Sequence, residues 1–296
     1  MKRRNFIWYS LLFTGGCTLV SNSSNQTSNK SLENLPKQLK FAVTDVKGIE
    51  NLEQDYGVFR SALEEVLDTK IIFYPVESAI AAAPSLQLGQ IDIVFAGPSE
   101  YVILNARAKA VPFVAITRPN YYPVIVVRAN SGIKSLSQLK GKKIAMWKKG
   151  TTAGHIFPMK HFIEAGVNPK LDFQTLFLQE KALEALAKGD VDACALAATA
   201  YQRQLAKTKL SERAFSVIAN GPKLPSDVFV ASSQLAFTII DQMQQQMLKH
   251  QDKLVQAMLA SPENKKFTGS KMLAAADADY NIIREAYQVI GQGDFI

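Results

Sequence analysis

Gly141-Lys-Lys-Ile-Ala-Met-Trp-Lys-Lys-Gly-Thr-Thr-Ala-Gly-His155 reads as a strand, a tight turn and the start of a helix. Ile144 to Trp147 is an apolar run of strand length, bounded by Gly141 on one side and Lys148-Lys149-Gly150 on the other. Thr151 and Thr152 stand where a helix takes its N-cap, and Ile156, Phe157, Phe162 and Ile163 then recur at helical spacing. The first turn of a helix carries N–H groups with no internal partner at its positive end. Hydroxyls and small residues there let an anion approach, so the stretch is either an ordinary capped helix or an anion seat. Pro158 lies inside the helical pattern and is expected to kink it or delay its regular part.

The same grammar continues on both sides. Downstream, Phe173–Phe177, Val191–Ala197 and Phe215–Ala219 read as strands, separated by helices over Glu180–Ala187 and Thr199–Leu205. Upstream, Leu39–Val43, Lys70–Pro75, Ile91–Ala96, Val111–Thr117 and Val124–Arg128 read as strands, with helices over Tyr56–Leu67, Ala79–Leu88 and Tyr101–Ala108 between them. Phe237 to Leu259 reads as one long packed helix. The alternation predicts an α/β protein with mainly parallel sheets, which hold ligands beyond the carboxyl ends of their strands. That rule selects the loops after Val43, Phe95 and Trp147. The proline-marked segments Arg118-Pro-Asn-Tyr-Tyr-Pro123 and Pro222 to Pro225 read as two crossings between lobes.

The chain has 296 residues, is 47% hydrophobic and carries a formal charge of +8. That length suits two lobes. No basic run with interleaved aromatics is present, which argues against nucleic acid. Lys2-Arg3-Arg4 followed by the apolar Phe6–Phe13 reads as an export signal, too short to span a bilayer. Thr14-Gly-Gly-Cys17 resembles a bacterial lipobox, which makes Cys17 the lipidated first residue of the mature chain. Arg3-Arg4-Asn5-Phe6-Ile7 leaves export by the Sec or the twin-arginine route open. Residues 18–38 read as a polar tether. The second cysteine, Cys194, reads as a small buried hydrophobe.

Gly89-Gln-Ile-Asp92, Gly97-Pro-Ser-Glu-Tyr101, Tyr121-Tyr122, Gly150-Thr-Thr-Ala-Gly154, Gly189-Asp-Val-Asp-Ala193, Pro225-Ser-Asp227 and Asp277-Ala-Asp-Tyr280 occur in an order and spacing that resemble the phosphonate/phosphite/phosphate-binding proteins of ABC importers. The resemblance covers nearly the whole mature chain. It implies a two-lobe periplasmic binding protein of type II-like fold, with a hinge and a central ligand cleft. Residues 39–120 and 223–296 are then the first lobe, and 121–222 the second. It implies an oxyanion resting on the helix start formed by Thr151, Thr152, Ala153 and Gly154, with Tyr101 reaching in from the first lobe. His155, Tyr122 and Gln179 are further candidate ligand contacts.

For several of these residues two roles stand side by side. Tyr101 either lines the cleft or covers its own helix start. His155 is a donor or a helix-face histidine, and Gln179 an amide donor or an exposed cap. Ala153 replaces the family's serine, Glu100 its serine before the tyrosine, and Ala197 or Ala198 the acidic residue that meets an ammonium. Phosphite, methylphosphonate or phosphate is therefore expected in preference to an aminoalkylphosphonate, with a different small ligand as the alternative.

The expected function is a lipid-anchored, monomeric solute receptor outside the cytoplasm that delivers to an ABC permease. A sensor subunit of the same build is the alternative. No enzyme fingerprint, cofactor motif or clustered metal ligands appear: Gly-x-Gly-x-x-Gly, Gly-x-x-x-x-Gly-Lys-Ser/Thr, His-Glu-x-x-His and Gly-x-Ser-x-Gly are all missing, and the three histidines are scattered.

Overall fold

The computed structural model describes residues 35–295. The expected signal segment with Cys17, and the expected tether as far as residue 34, lie outside those residues, while the last tether position, Gln38, already opens the first strand. Two sheets organise the chain. The first contains β1 (Gln38–Val43), β2 (Lys70–Phe73), β3 (Ile93–Ala96), β4 (Val111–Ile116), β10 (Asp227–Ala231) and β11 (Met272–Ala274), in the order β11-β4-β10-β3-β1-β2. The second contains β5 (Pro123–Arg128), β6 (Lys143–Met146), β7 (Gln174–Phe177), β8 (Ala193–Ala197) and β9 (Phe215–Asn220), in the order β7-β6-β8-β5-β9.

The pairings correct the expectation of mainly parallel sheets. β1 runs parallel to β2 and β3, and β6 parallel to β7 and β8. β10 is antiparallel to β3 and β4, β5 is antiparallel to β8 and β9, and β11 is antiparallel to β4. The crossings explain this. β1, β3, β4, β6 and β8 all end toward the gap between the sheets. β5 and β10 begin there, because the chain has just crossed, so each must run the opposite way. Both are inserted in the middle of a sheet rather than added at an edge, which ties each crossing into a core.

The two crossings also bond to each other. Leu224 N–H donates to Tyr121 O at 2.9 Å and Gly221 N–H to Pro123 O at 3.0 Å. Gly221 admits no side chain, since a Cβ would lie 2.5 Å from Pro123 Cγ and 2.7 Å from His161 Cε1.

One face of the first sheet packs against α1 (Ile49–Leu67), α7 (Phe237–Lys249) and α8 (Gln251–Met258). Its centre is aromatic: Phe95 and Phe229 stack with centroids 4.4 Å apart, and Phe41, Phe59 and Phe267 surround them. The expected single helix over Phe237–Leu259 is two helices, broken at His250 (φ −108°, ψ 25°). The bend keeps Met243 and Met247 on one side of it, and Leu254 and Met258 on the other, against the same core.

The opposite face carries α2 (Ala79–Gln87), α3 (Pro98–Ala108) and α9 (Asn281–Val289). This second cluster does not stop at the lobe boundary. Ala153, Ile156 and Phe157 of the second lobe pack with Tyr101, Tyr280 and Tyr287 of the first. In the second lobe, α4 (Phe157–Glu164) lies on one face of its sheet, and α5 (Ala182–Lys188) and α6 (Ala198–Thr208) on the other.

Candidate functional site

Because so many strands end toward the gap, their following loops converge there. From the first lobe come Asp45 after β1, Ser99 and Glu100 at the start of α3, Arg118 after β4, Asp227 at the start of β10, and Lys266 from a 3-10 turn. The second lobe contributes the turn after β6 (Trp147 to Gly154), Gln179 and Glu180 after β7, and Arg203 on α6. Together they line a cleft with a cavity of about 320 Å³.

The helix start that the sequence singles out lies on this cleft, in an unexpected form. Thr152–Ile156 is a single wide π turn, and the α-helix begins only at Phe157. Pro158 supplies the reason. It has no N–H for the carbonyl of Gly154, four residues back. That carbonyl instead accepts the N–H of Trp147 at 3.1 Å, which ties the strand end to the helix start. Glycine is required at 154, because a Cβ there would lie 2.3 Å from Trp147 Cβ. The regular helix is delayed, as the position of Pro158 suggested.

The threonine hydroxyls are already occupied. Thr151 Oγ1 donates to Lys148 O at 2.7 Å. Thr152 Oγ1 accepts the Ser99 N–H and donates to Ser99 Oγ, both at 3.0 Å, and Ser99 Oγ donates to Gly150 O at 2.6 Å. Thr152 therefore bridges the lobes instead of presenting a free hydroxyl. The backbone N–H groups of Thr152, Ala153 and Gly154 have no acceptor among the described residues. They are the donors left at this tip.

Charged groups surround it. Asp45 pairs with Lys266 at 3.1 Å, Arg118 with Asp227 at 3.4 Å, and Glu180 with Arg203 at 2.6 Å. The Arg118 guanidinium lies 3.7 Å from the centroid of the Tyr121 ring, a stacked cation. Lys148 has no ion-pair partner among the described residues, but its field reaches Asp45 and Glu100 across the cleft. Burial pushes the Asp45 carboxyl up, yet Lys266, Lys148 and Arg118 outweigh it and hold Asp45 below the usual carboxylate range. Burial and neighbouring Asp45 push Glu100 the other way, against hydrogen bonds from Thr44 and Gly97. Asp45 is thus a paired anion, and Glu100 is the carboxyl that holds its proton more readily.

The other expected contacts are distributed differently. Gln179 is on the cleft wall, with φ +48°. Tyr101 is not: its buried ring meets Tyr280 edge-on with centroids 4.4 Å apart, and its hydroxyl donates to Asp277, which also takes Arg284. It covers its own helix start, the second of the two roles considered. His155 also faces away from the cavity. Its Nδ1 accepts the Gly150 N–H at 3.2 Å, its ring lies 5.4 Å from that of Phe177, and burial with nearby Lys149 pushes it down to about 4. It braces the turn as a neutral acceptor and is no ligand donor in this arrangement. Tyr122 packs into the second lobe's core, while its neighbour Tyr121 lines the cleft.

Asp45, Ser99, Arg118, Lys148 and Lys266 are the cleft residues that the reading of motifs passed over. Asp45, Ser99 and Lys148 fall in the three loops chosen by the strand-end rule. Arg118 and Lys266 lie on loops that only the antiparallel pairings bring to the cleft. Among the described residues, no three side chains are grouped to hold a metal ion, and no helix is long and apolar enough to cross a membrane.

Comparison with known proteins adds three findings. A family model described as "ABC transporter, phosphonate, periplasmic substrate-binding protein" matches residues 25–280. The phosphate-import protein PhnD of Mycolicibacterium smegmatis is 22% identical over 292 residues, covering 90% of each chain. Two solved structures share the fold. PhnD1 from Prochlorococcus marinus, in complex with methylphosphonate, has a TM-score of 0.67 and 19% identity, over 87% of this chain and 99% of its own. XAC2383 from Xanthomonas citri, bound to ATP, has a TM-score of 0.70 and 16% identity, over 87% of this chain and 98% of its own.

Proposed function

The chain belongs to the periplasmic substrate-binding proteins of phosphonate ABC transporters, and we propose that it captures a small phosphorus oxyanion in the cleft between its lobes. The family's role is transport: its members bind a small solute outside the cytoplasm and work with an ABC permease. Within that role we assign phosphite, methylphosphonate or phosphate as the solute and Cys17 as the lipid anchor. Residues 39–120 and 223–296 act as one closing body and 121–222 as the other, hinged at the paired crossings.

One observation carries the ligand class. Three backbone N–H groups, at Thr152, Ala153 and Gly154, have no acceptor among the described residues and lie at a helix start on the wall of the cleft. Such a tip favours an anion through its donors and its dipole. Lys148, which has no ion-pair partner among the described residues, adds a cation on the adjoining turn, and the Arg118 guanidinium lies on the opposite lobe. Asp45 does not oppose this, since Lys266 neutralises it.

The test is a thermal-shift and calorimetric panel of phosphite, methylphosphonate, phosphate, 2-aminoethylphosphonate and sulfate. Binding to the folded state raises Tm in proportion to ln(1 + [L]/Kd). At least one of the first three is expected to shift Tm and titrate with one site per chain. No response to any phosphorus oxyanion overturns the assignment.

A further inference from the structure

Glu100 is a carboxyl in a cleft assigned to an anion. Its Oε2 is fixed, accepting the Thr44 hydroxyl at 2.7 Å and the Gly97 N–H at 3.0 Å. Its Oε1 has no partner among the described residues and is not sealed from the cavity that Glu100 lines. Glu100 stands one residue beyond Ser99, which is bonded to Thr152 at the helix tip. Glu100 and the residues that carry the three free N–H groups line the same cleft.

We propose that Glu100 sets the specificity of this seat by sharing one proton with the ligand, accepting a phosphorus oxyanion that carries a P–OH and rejecting a fully ionised anion such as sulfate. The inference rests on the oxyanion reading above. The proton count is one in either form. A monoanion donates its P–OH to Oε1 of ionised Glu100, or a dianion accepts the proton of neutral Glu100. No covalent bond to phosphorus is made or broken. A phosphomonoester's second ionisation, at about 6, lies close enough to neutrality for such a ligand to bring the proton itself. Sulfate has none to bring, so it binds only after Glu100 takes one from water.

The groups facing Glu100 agree with this. Asp45, beyond β1, is the like charge that acts on it, and Lys148, on the turn after β6, the opposing one. The phenols of Tyr56 on α1 and Tyr287 on α9 sense its charge and remain protonated, since burial raises both. Glu100 is thus the group among them that combines a raised proton affinity with an oxygen open to the cleft.

The test is calorimetric titration of the full chain with methylphosphonate and with sulfate, between pH 5.5 and 8.5, for wild type and Glu100→Gln. Glutamine can keep the bonds from Thr44 and Gly97 through its carbonyl while its amide donates to any anion. In wild type, sulfate affinity is expected to fall about tenfold per pH unit as soon as Glu100 ionises, because bound sulfate would then place two like charges in contact, whereas methylphosphonate holds until its own second ionisation is also passed. Methylphosphonate affinity should fall about tenfold per pH unit once the shared proton is gone. In Glu100→Gln the sulfate penalty and the pH slope should both disappear.

Thr44→Val provides a second route. Losing a donor to the ionised carboxylate raises the proton affinity of Glu100, so the sulfate fall-off must move to higher pH. Unchanged selectivity and slope in Glu100→Gln, or an unmoved fall-off in Thr44→Val, overturns the role of Glu100 while leaving the oxyanion receptor standing. Wild type that binds no phosphorus oxyanion at any pH overturns both.

Discussion

Thr152→Val keeps the shape of a side chain that is 3% exposed and deletes its hydroxyl. That hydroxyl accepts the Ser99 N–H and donates to Ser99 Oγ, each at 3.0 Å, across the two lobes. A buried N–H left without an acceptor costs about 1–3 kcal/mol. The cost falls on the closed arrangement, because in an opened cleft water reaches Ser99. A ligand that is held only when the lobes close therefore loses affinity by the same free energy, about 5- to 150-fold. Calorimetric titration with methylphosphonate measures this directly. Loss of affinity alone does not separate a lobe bridge from a hydroxyl that touches the ligand, so Ser99→Ala and the double variant complete a cycle. Both single changes act on one contact, and the double should cost less than their sum, with a coupling of about 0.5–3 kcal/mol. A Kd for Thr152→Val within about twofold of wild type, or strict additivity with Ser99→Ala, would refute the bridge.

Three further outcomes follow from the site. Gly154→Ala places a methyl 2.3 Å from Trp147 Cβ, and should cost about 1–3 kcal/mol in urea unfolding and weaken methylphosphonate binding; unchanged stability would show that the turn after β6 yields easily. His155, pushed down to about 4 in the fold, accepts a proton more readily once unfolded, where its ordinary value is 6.5. Stability should therefore be full above pH 6.5, decline as pH falls toward 4 and then level off, with up to about 3 kcal/mol lost. Urea unfolding of His155→Gln at pH 7 and pH 4.5 should show a smaller decline than wild type, and an equal one would remove His155 as the source. Tyr101→Phe loses the bond to Asp277, and should cost about 0.5–1.5 kcal/mol of stability while leaving ligand affinity unchanged. Weakened binding with intact stability would return Tyr101 to the cleft.

What could be read from the residues, and what could not, divides along local and long-range physics. The strand over Lys143–Met146 and the helix after it follow from apolar runs and from Gly141 and Gly150, which are properties of neighbours in sequence. So does the delay imposed by Pro158. The antiparallel placement of β5 and β10 does not, because it depends on which side of a sheet the chain enters after crossing, and no local pattern records that. The cleft positions of Arg118 and Lys266 are of the second kind: they depend on β10 being inserted beside β4 and on the return of the C-terminal segment to the first lobe.

The hydroxyls are a subtler case. Thr151 and Thr152 sit at the helix start as expected, but a threonine in sequence does not say which partner its hydroxyl will find. Here one partner is the carbonyl three residues back and the other is a serine 53 positions away. With both hydroxyls occupied, the proposed recognition rests on backbone N–H groups, which every residue but proline possesses. On that proposal, a seat made of main-chain donors accommodates Ala153, whose N–H is present without a hydroxyl. Discrimination between tetrahedral anions would then fall to side chains around the seat, and the proposed role of Glu100 rests on an oxygen with no partner among the described residues.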